Sequence, residues 1–258
     1  MKLQKLFMFL LLGILVPFSI SSNAQEKPKD QLYLVFEETA KVSYYEQYER
    51  TSKQWVELMT QAGLDISAVH ASQRDDFHYY YLIPIEKYAD LDLTYEAFKT
   101  AYGKIDKTKA DVFQKENQES IETYRQFVIK WSAEFSYVPK ESRLKDNEAN
   151  FLHWLFFTYK LDKQKEVFDI LREWKALYEK HNINHEYNIW TMEIGQDANL
   201  IALTESAKDG ADYFGMMNET WTTLQAEEQV LWAKLSALML ETEQKFGYPR
   251  PDLSYIKK

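Results

Sequence analysis

Two stretches of this chain repeat each other 119 residues apart. Ser52 to Met59 aligns with Leu171 to Tyr178, with Trp55 on Trp174 and Leu58 on Leu177. Both stretches read as amphipathic helices. Tyr48, Trp55, Leu58, Met59 and Ala62 share one face of the first, and Val167, Ile170, Leu171, Trp174, Leu177 and Tyr178 share one face of the second. Each helix follows a strand-like run, Leu32–Phe36 and Phe151–Phe157. Each precedes two more runs of strand type, Ile66–Ser72 with Phe77–Ile85, and Glu186–Ile194 with Asn199–Thr204, split by short polar turns. A shorter helix follows in each half, Thr94–Tyr102 and Ala207–Asn218, then a longer one, about 107–131 and about 224–244. Phe135–Val138 and Leu253–Ile256 close the halves as matching β-like runs.

The order β-α-β-β-α-α-β occurring twice predicts an α+β fold. It is read as two tandem ferredoxin-like β-α-β-β-α-(α)-β repeats packed sheet to sheet. The expected layout is a leader over 1–24, a tail over 25–30, a first repeat over 31–140, a linker over 141–150 and a second repeat over 151–258. The arrangement resembles the dimeric α/β-barrel superfamily in a fused, single-chain form, over about Gln31 to Ile256. That superfamily includes antibiotic-biosynthesis-type monooxygenases, NIPSNAP-like proteins, stress-responsive barrel proteins, and haem enzymes such as chlorite dismutase and dye-decolourising peroxidase. The resemblance implies a cavity between the sheets for a small, often aromatic ligand. Asp209-Gly210-Ala211-Asp212 does not reproduce the glycine-aspartate motif of the dye-decolourising peroxidases, and no functional residue carries over.

Lys2 and Lys5, the apolar run Leu6–Pro17 and Ser22-Asn23-Ala24 read as a secretory signal peptide cut before Gln25. The apolar run is shorter than the ~20 residues that span a bilayer. An exported protein, periplasmic or extracellular, is therefore expected, with no membrane attachment once the leader is removed. The net charge of -9 excludes nucleic acid as a partner. The absence of cysteine excludes disulfides, thiolate metal sites and Cys nucleophiles. No phosphate-binding loop, nucleophile elbow or dinucleotide fingerprint is present, and neither a metal nor any cofactor is indicated.

Aromatic residues make up 16% of the chain, and they carry the candidate site. In Tyr79-Tyr80-Tyr81, alternation sends Tyr80 to one face with His78, and Tyr79 and Tyr81 to the other. His78 and Tyr80 are placed on the cavity side, with Tyr33, His153 and Tyr159 as companions. His70 is expected to approach His78 across the hairpin, and Glu193 to stand at a cavity mouth. An imidazole in an aromatic cavity suits a general base, a haem ligand or a metal ligand. His181 and His185 have i,i+4 spacing that suits a metal only if the helix continues between them.

The first expectation for function is a secreted or periplasmic protein binding a small apolar or aromatic ligand between its sheets. The alternatives are a structural or interaction module without a cavity, a cofactor-independent monooxygenase-like enzyme on an aromatic substrate, and a haem protein with an axial His. Its own second repeat supplies the partner sheet, so a monomer is the default and a dimer the alternative.

Overall fold

The computed structural model describes residues 29–145 and 147–257. The leader and most of the N-terminal tail lie outside the described residues. Among the described residues, nine strands and five α-helices form in the order β1 (Gln31–Ala40), α1 (Tyr45–Ala62), β2 (Ala68–Arg74), β3 (His78–Ile85), α2 (Asp90–Tyr102), α3 (Lys107–Ser120) and β4 (Ile121–Trp131). There follow β5 (Phe151–Tyr159), α4 (Gln164–His181), β6 (Asn188–Ile194), β7 (Leu200–Ala207), α5 (Gly210–Ser236), β8 (Met239–Pro249) and the short β9 (Tyr255–Ile256).

The mixed α+β class holds, but the halves do not meet face to face. Their sheets join edge to edge into one eight-stranded antiparallel barrel, in the order β3-β1-β4-β6-β7-β5-β8-β2. The β2–β3 hairpin closes the ring. One seam is β4 on β6 and the other is β8 on β2. Closure satisfies the strand edges that two stacked sheets would leave bare. Alternation then fixes two faces: one set of side chains enters the lumen and the other lies under the helices. Val35, Tyr80, Phe127 and Ile129 pack in the lumen. The outward sets build separate cores under α1–α3 and under α4–α5.

Two sequence expectations are corrected. The stretch 107–131 is helical only to Ser120, and Ile121–Trp131 is strand β4. Ile121, Tyr124, Val128 and Trp131 do fall at helical spacing. The segment is nevertheless rich in β-branched and aromatic residues, and pairing with β1 along its length decides the outcome. Likewise α5, spanning Gly210–Ser236, is two helical segments joined across a kink at the non-helical Gln225 (φ 35°, ψ -112°), and the expected helix to about residue 244 ends short of it, since Met239–Pro249 is strand β8.

The matching runs Phe135–Val138 and Leu253–Ile256 do not close their own halves. Each crosses to the other half. The Tyr137 hydroxyl donates to the Ile183 carbonyl at 2.6 Å, and the Tyr255 hydroxyl donates to the Leu64 carbonyl at 2.6 Å. Both acceptors follow a helix stopped by a left-handed residue, Asn182 and Gly63 respectively. Bulges fall at Thr39/Ala40 in the β1–β4 pairing and at Thr158/Tyr159 in the β5–β8 pairing. The Lys41 ammonium donates to the Glu119 carbonyl and the Lys160 ammonium to the Ala237 carbonyl. These paired details recur at spacings of 118 or 119 residues.

Candidate active site

Three cavities coincide with this layout. The first is the lumen, about 590 Å³. The second, about 600 Å³, lies between the outer face of β5–β7 and helices α4 and α5. The third, about 290 Å³, lies under α1–α3.

The lumen takes three of the expected site residues. Tyr80 and Tyr33 belong to its apolar lining, Tyr33 standing edge-on to Trp190 at 5.5 Å. His78, two residues from Tyr80, shares its parity and approaches the lumen residue Glu37, Nε2 to Oε1 at 3.9 Å. Alternation across Tyr79-Tyr80-Tyr81 is as expected, since Tyr79 and Tyr81 reach α1, where Tyr81 meets the Tyr48 hydroxyl at 2.9 Å. The ionisable groups at the lumen mouth are paired with one another. Arg125 donates to Glu37 at 2.6 Å, Arg74 donates to Asp76 and to the Tyr80 hydroxyl at 2.8 Å, and Lys245 meets Asp76 at 2.9 Å. Burial works to raise the Asp76 carboxyl, yet the Arg74 and Lys245 hydrogen bonds hold it far below the usual carboxylate range. Such matched pairs fix a barrel mouth.

The other expected residues lie elsewhere. His70 is exposed and stands opposite Leu82, four residues along β3 from His78, so the two histidines do not meet. Glu193 lies outside the lumen, accepting from the Tyr88 hydroxyl at 2.6 Å and pairing with Lys130 at 3.0 Å. Tyr159 is buried beneath α4 beside Phe168. His153 faces outward too. The cavity-side placement of His153 and Tyr159 among the lumen residues is thus corrected: their odd position in β5 turns them away from Trp154 and Phe156, which do line the lumen. His181 ends α4 and Asn182 turns left-handed, so His181 and His185 share no helix face.

His153 faces instead into the second cavity, and there the chemistry is uncommitted. It stands directly opposite Glu205 in the β5–β7 register. Its Nδ1 lies 3.0 Å from Glu205 Oε2, and both residues are 4% exposed. A carboxylate on Nδ1 fixes the tautomer that leaves Nε2 as a lone-pair acceptor. That Nε2 is buried and has no hydrogen-bond partner among the described residues. The Tyr213 hydroxyl also donates to Glu205 Oε2, at 3.3 Å, and the Tyr213 ring lies 5.0 Å from the imidazole. Burial, reinforced by Glu205, raises the Tyr213 hydroxyl far above its ordinary value. Trp174, Tyr178, Trp221 and Trp232 line the same space. Glu228 of α5 joins them, with Oε2 buried and without a partner among the described residues. Burial first, and Glu205 second, push its carboxyl upward. Sequence reasoning missed Glu205, Tyr213 and Glu228. Only the pairing register could bring Glu205 to His153 across 52 residues.

Whether this cavity suits a haem turns on its donors and its charge. His153 Nε2 has the bonding pattern of an axial ligand, but no Lys or Arg lines the walls to meet the propionates, and two glutamates do. The donor set does not fit haem. Among the described residues no cluster of three or more His, Asp or Glu could hold a metal ion, and no helix is long and apolar enough to cross a membrane.

No protein-family model matches the sequence, and no curated protein matches it. Solved structures match over most of the chain. An anthrone oxidase-like protein aligns with 87% of this chain and 92% of its own, at TM-score 0.58 and 11% identity. A candidate monooxygenase from Fusobacterium nucleatum subsp. nucleatum aligns with 85% and 92%, at 0.55 and 13%. A candidate monooxygenase from Lactobacillus acidophilus NCFM aligns with 89% and 97%, at 0.52 and 9%. These neighbours are dimeric α+β-barrel proteins, and the chain shares their fold. The first expectation for function, a ligand binder that is not an enzyme, is corrected by this finding, since the neighbours are named for oxidation chemistry. The expectation of a module without a cavity is corrected by the cavities themselves.

Proposed function

We propose that this chain is an enzyme that oxidises an apolar aromatic substrate with dioxygen, without a cofactor, in the cavity between the barrel and helices α4 and α5. The observation that carries the reading is the His153–Glu205 pair, with one imidazole nitrogen committed and the other free inside an aromatic chamber. Its volume of about 600 Å³ suits a ligand of a few fused rings. The names of the structural neighbours agree with this class of chemistry.

His153 Nε2 removes a proton from an acidified ring CH₂, and Glu205 stabilises the imidazolium that results. The substrate carbanion transfers one electron to dioxygen, and the radical pair combines into a hydroperoxide. Loss of water, with the proton returned by His153 or supplied by Glu228, leaves a ketone. The balance is R₂CH₂ + O₂ → R₂CO + H₂O. The aromatic walls exclude water and hold the ring beside the base.

We further propose that the two halves are fused ferredoxin-like repeats, supported by the paired bulges, caps and cross-over tyrosines at spacings of 118 and 119. One chain closes its own barrel, which supports a working monomer.

The test uses anthrone as substrate, following oxygen uptake and quinone absorbance with the purified protein. Glu205→Gln and His153→Ala should each lower the rate about 10²–10⁴-fold while leaving the circular dichroism spectrum unchanged. Equal rates in the unsubstituted protein and His153→Ala would reject the base. A Soret band in the active protein would reject the cofactor-free reading.

A further inference from the structure

We propose that the first half carries a second ligand site, separate from the His153 cavity, that binds a neutral aromatic ketone of one or two rings. The site is the cavity of about 290 Å³ under α1–α3. That volume lies at the lower end for ligand pockets, which favours one or two rings over a larger fused system.

Its walls are flat and aromatic. Phe36 stacks on Tyr124 with centroids 6.1 Å apart and planes 17° apart, and meets Phe98 edge-on at 6.0 Å. Its polar groups are committed as acceptors and left over as donors. The Trp55 indole donates to the Tyr102 hydroxyl at 3.0 Å, and the Gln126 amide donates to the Tyr124 hydroxyl. Neither hydroxyl donates to an acceptor among the described residues. Glu38 joins them: its Oε2 accepts from Tyr48 at 2.7 Å, and its Oε1 makes no hydrogen bond among the described residues. Burial pushes the Glu38 carboxyl upward against the Tyr48 hydrogen bond. The two hydroxyl donors left over around a flat slot, Tyr102 and Tyr124, call for an acceptor at the edge of a ring, which is what a ketone oxygen presents. No Lys or Arg lines the cavity, so an anionic ligand has no partner there.

The corresponding positions of the second half argue the same way. In the matching strand ladders, Glu38 of β1 corresponds to Phe157 of β5, and Tyr81, opposite Phe36, corresponds to Leu203, opposite Leu155. The polar set is therefore particular to this cavity and is not something the fold requires.

The experiment titrates 1-tetralone into the full chain, with tetralin, which lacks the oxygen, as comparison. Binding is read by calorimetry and by the indole N–H resonance of Trp55, assigned with Trp55→Phe. The expected result is saturable binding that moves this resonance and is weakened about tenfold by Tyr102→Phe, the worth of one hydrogen bond. Tetralin binds at least tenfold more weakly, and His153→Leu leaves the Trp55 response unchanged. Should Tyr102→Phe fold poorly, Phe98→Trp narrows the slot and abolishes the response in a folded protein. Equal affinity for tetralin and 1-tetralone, an unmoved Trp55 resonance, or a response lost in His153→Leu overturns the proposal.

Discussion

Barrel closure rests on one glycine, and Gly247→Ala tests it. Strand β8 pairs with β2 only from Ser72 to Arg74, opposite Pro249 to Gly247. A Cβ built on Gly247 would stand 1.9 Å from the Gln73 carbonyl oxygen and 2.9 Å from Arg74 Cα, both rigid backbone. The strands must part by more than an ångström. The flanking hydrogen bonds, Asp75 N–H to the Phe246 carbonyl and Arg250 N–H to the Ala71 carbonyl, both 2.8 Å, then lengthen with the ladder between them. Losing two or three such bonds at about 1 kcal/mol each, with about 1 kcal/mol of overpacking, gives a loss of about 3–4 kcal/mol. At this chain length that lowers Tm by about 10 °C. Gly215 supplies the internal comparison. It sits exposed in α5, and a Cβ there meets nothing within 4 Å. Gly215→Ala should stabilise by about 0.5–1 kcal/mol through helix propensity. Urea unfolding followed by tryptophan fluorescence measures both. A Gly247→Ala protein within about 1 kcal/mol of the unsubstituted one would refute the reasoning about the seam.

Arg250 ties the C-terminal segment to α1 and β2 through Glu49, Gln73 and Asp252. Arg250→Met leaves the largely buried Glu49 without its cation and should cost about 3 kcal/mol in urea unfolding, a loss under 1 kcal/mol contradicting the assignment. Glu38 has a folded pKa raised by burial. Its contribution is therefore fully present below the ordinary carboxylate range and is lost as pH rises through the folded value. Glu38→Gln should match the parent near pH 4 and exceed it in stability near pH 8, and urea midpoints at the two pH values decide.

Much of the fold was legible in the sequence because the patterns that mark its helices and hairpins are local and periodic. Trp55 with Trp174, the hairpins on either side of Gln73–Asp76 and Gly195–Ala198, and the outward and inward alternation of Tyr79 to Tyr81 all follow from residues near one another. The barrel did not follow, because nothing in β4 or β8 alone says that their second edges pair with the opposite half. The same limit hid β4 itself, whose apolar residues satisfy a helical period while its ladder partners lie about 90 residues away in β1. At the site, an aromatic cavity with a polar histidine was legible, and His153 was among the candidates. The face it occupies and its partner Glu205 depend on register, so the sequence pointed to the lumen and the chemistry lies outside it.

The strand ladders β1–β3 and β5–β7 also say whether the dyad serves the fold or the reaction. His153 opposite Glu205 corresponds to Leu34 opposite Ile83, the same cross-strand pair one half earlier. Leu34 and Ile83 are 2% and 1% exposed, so the first half builds a sound core with an apolar pair at that place. An ion-type pair where a hydrophobic one suffices contributes little net stability, whereas leaving one member alone is costly. His153→Leu alone strands the Glu205 carboxylate with only the Tyr213 hydroxyl and should destabilise by about 3 kcal/mol. Adding Glu205→Ile restores an apolar pair, and the double variant should return to within about 1 kcal/mol of the parent in urea unfolding while remaining inactive. If the double variant is as unstable as the single one, the dyad is a structural element of the second half, and its free imidazole nitrogen no longer argues for catalysis.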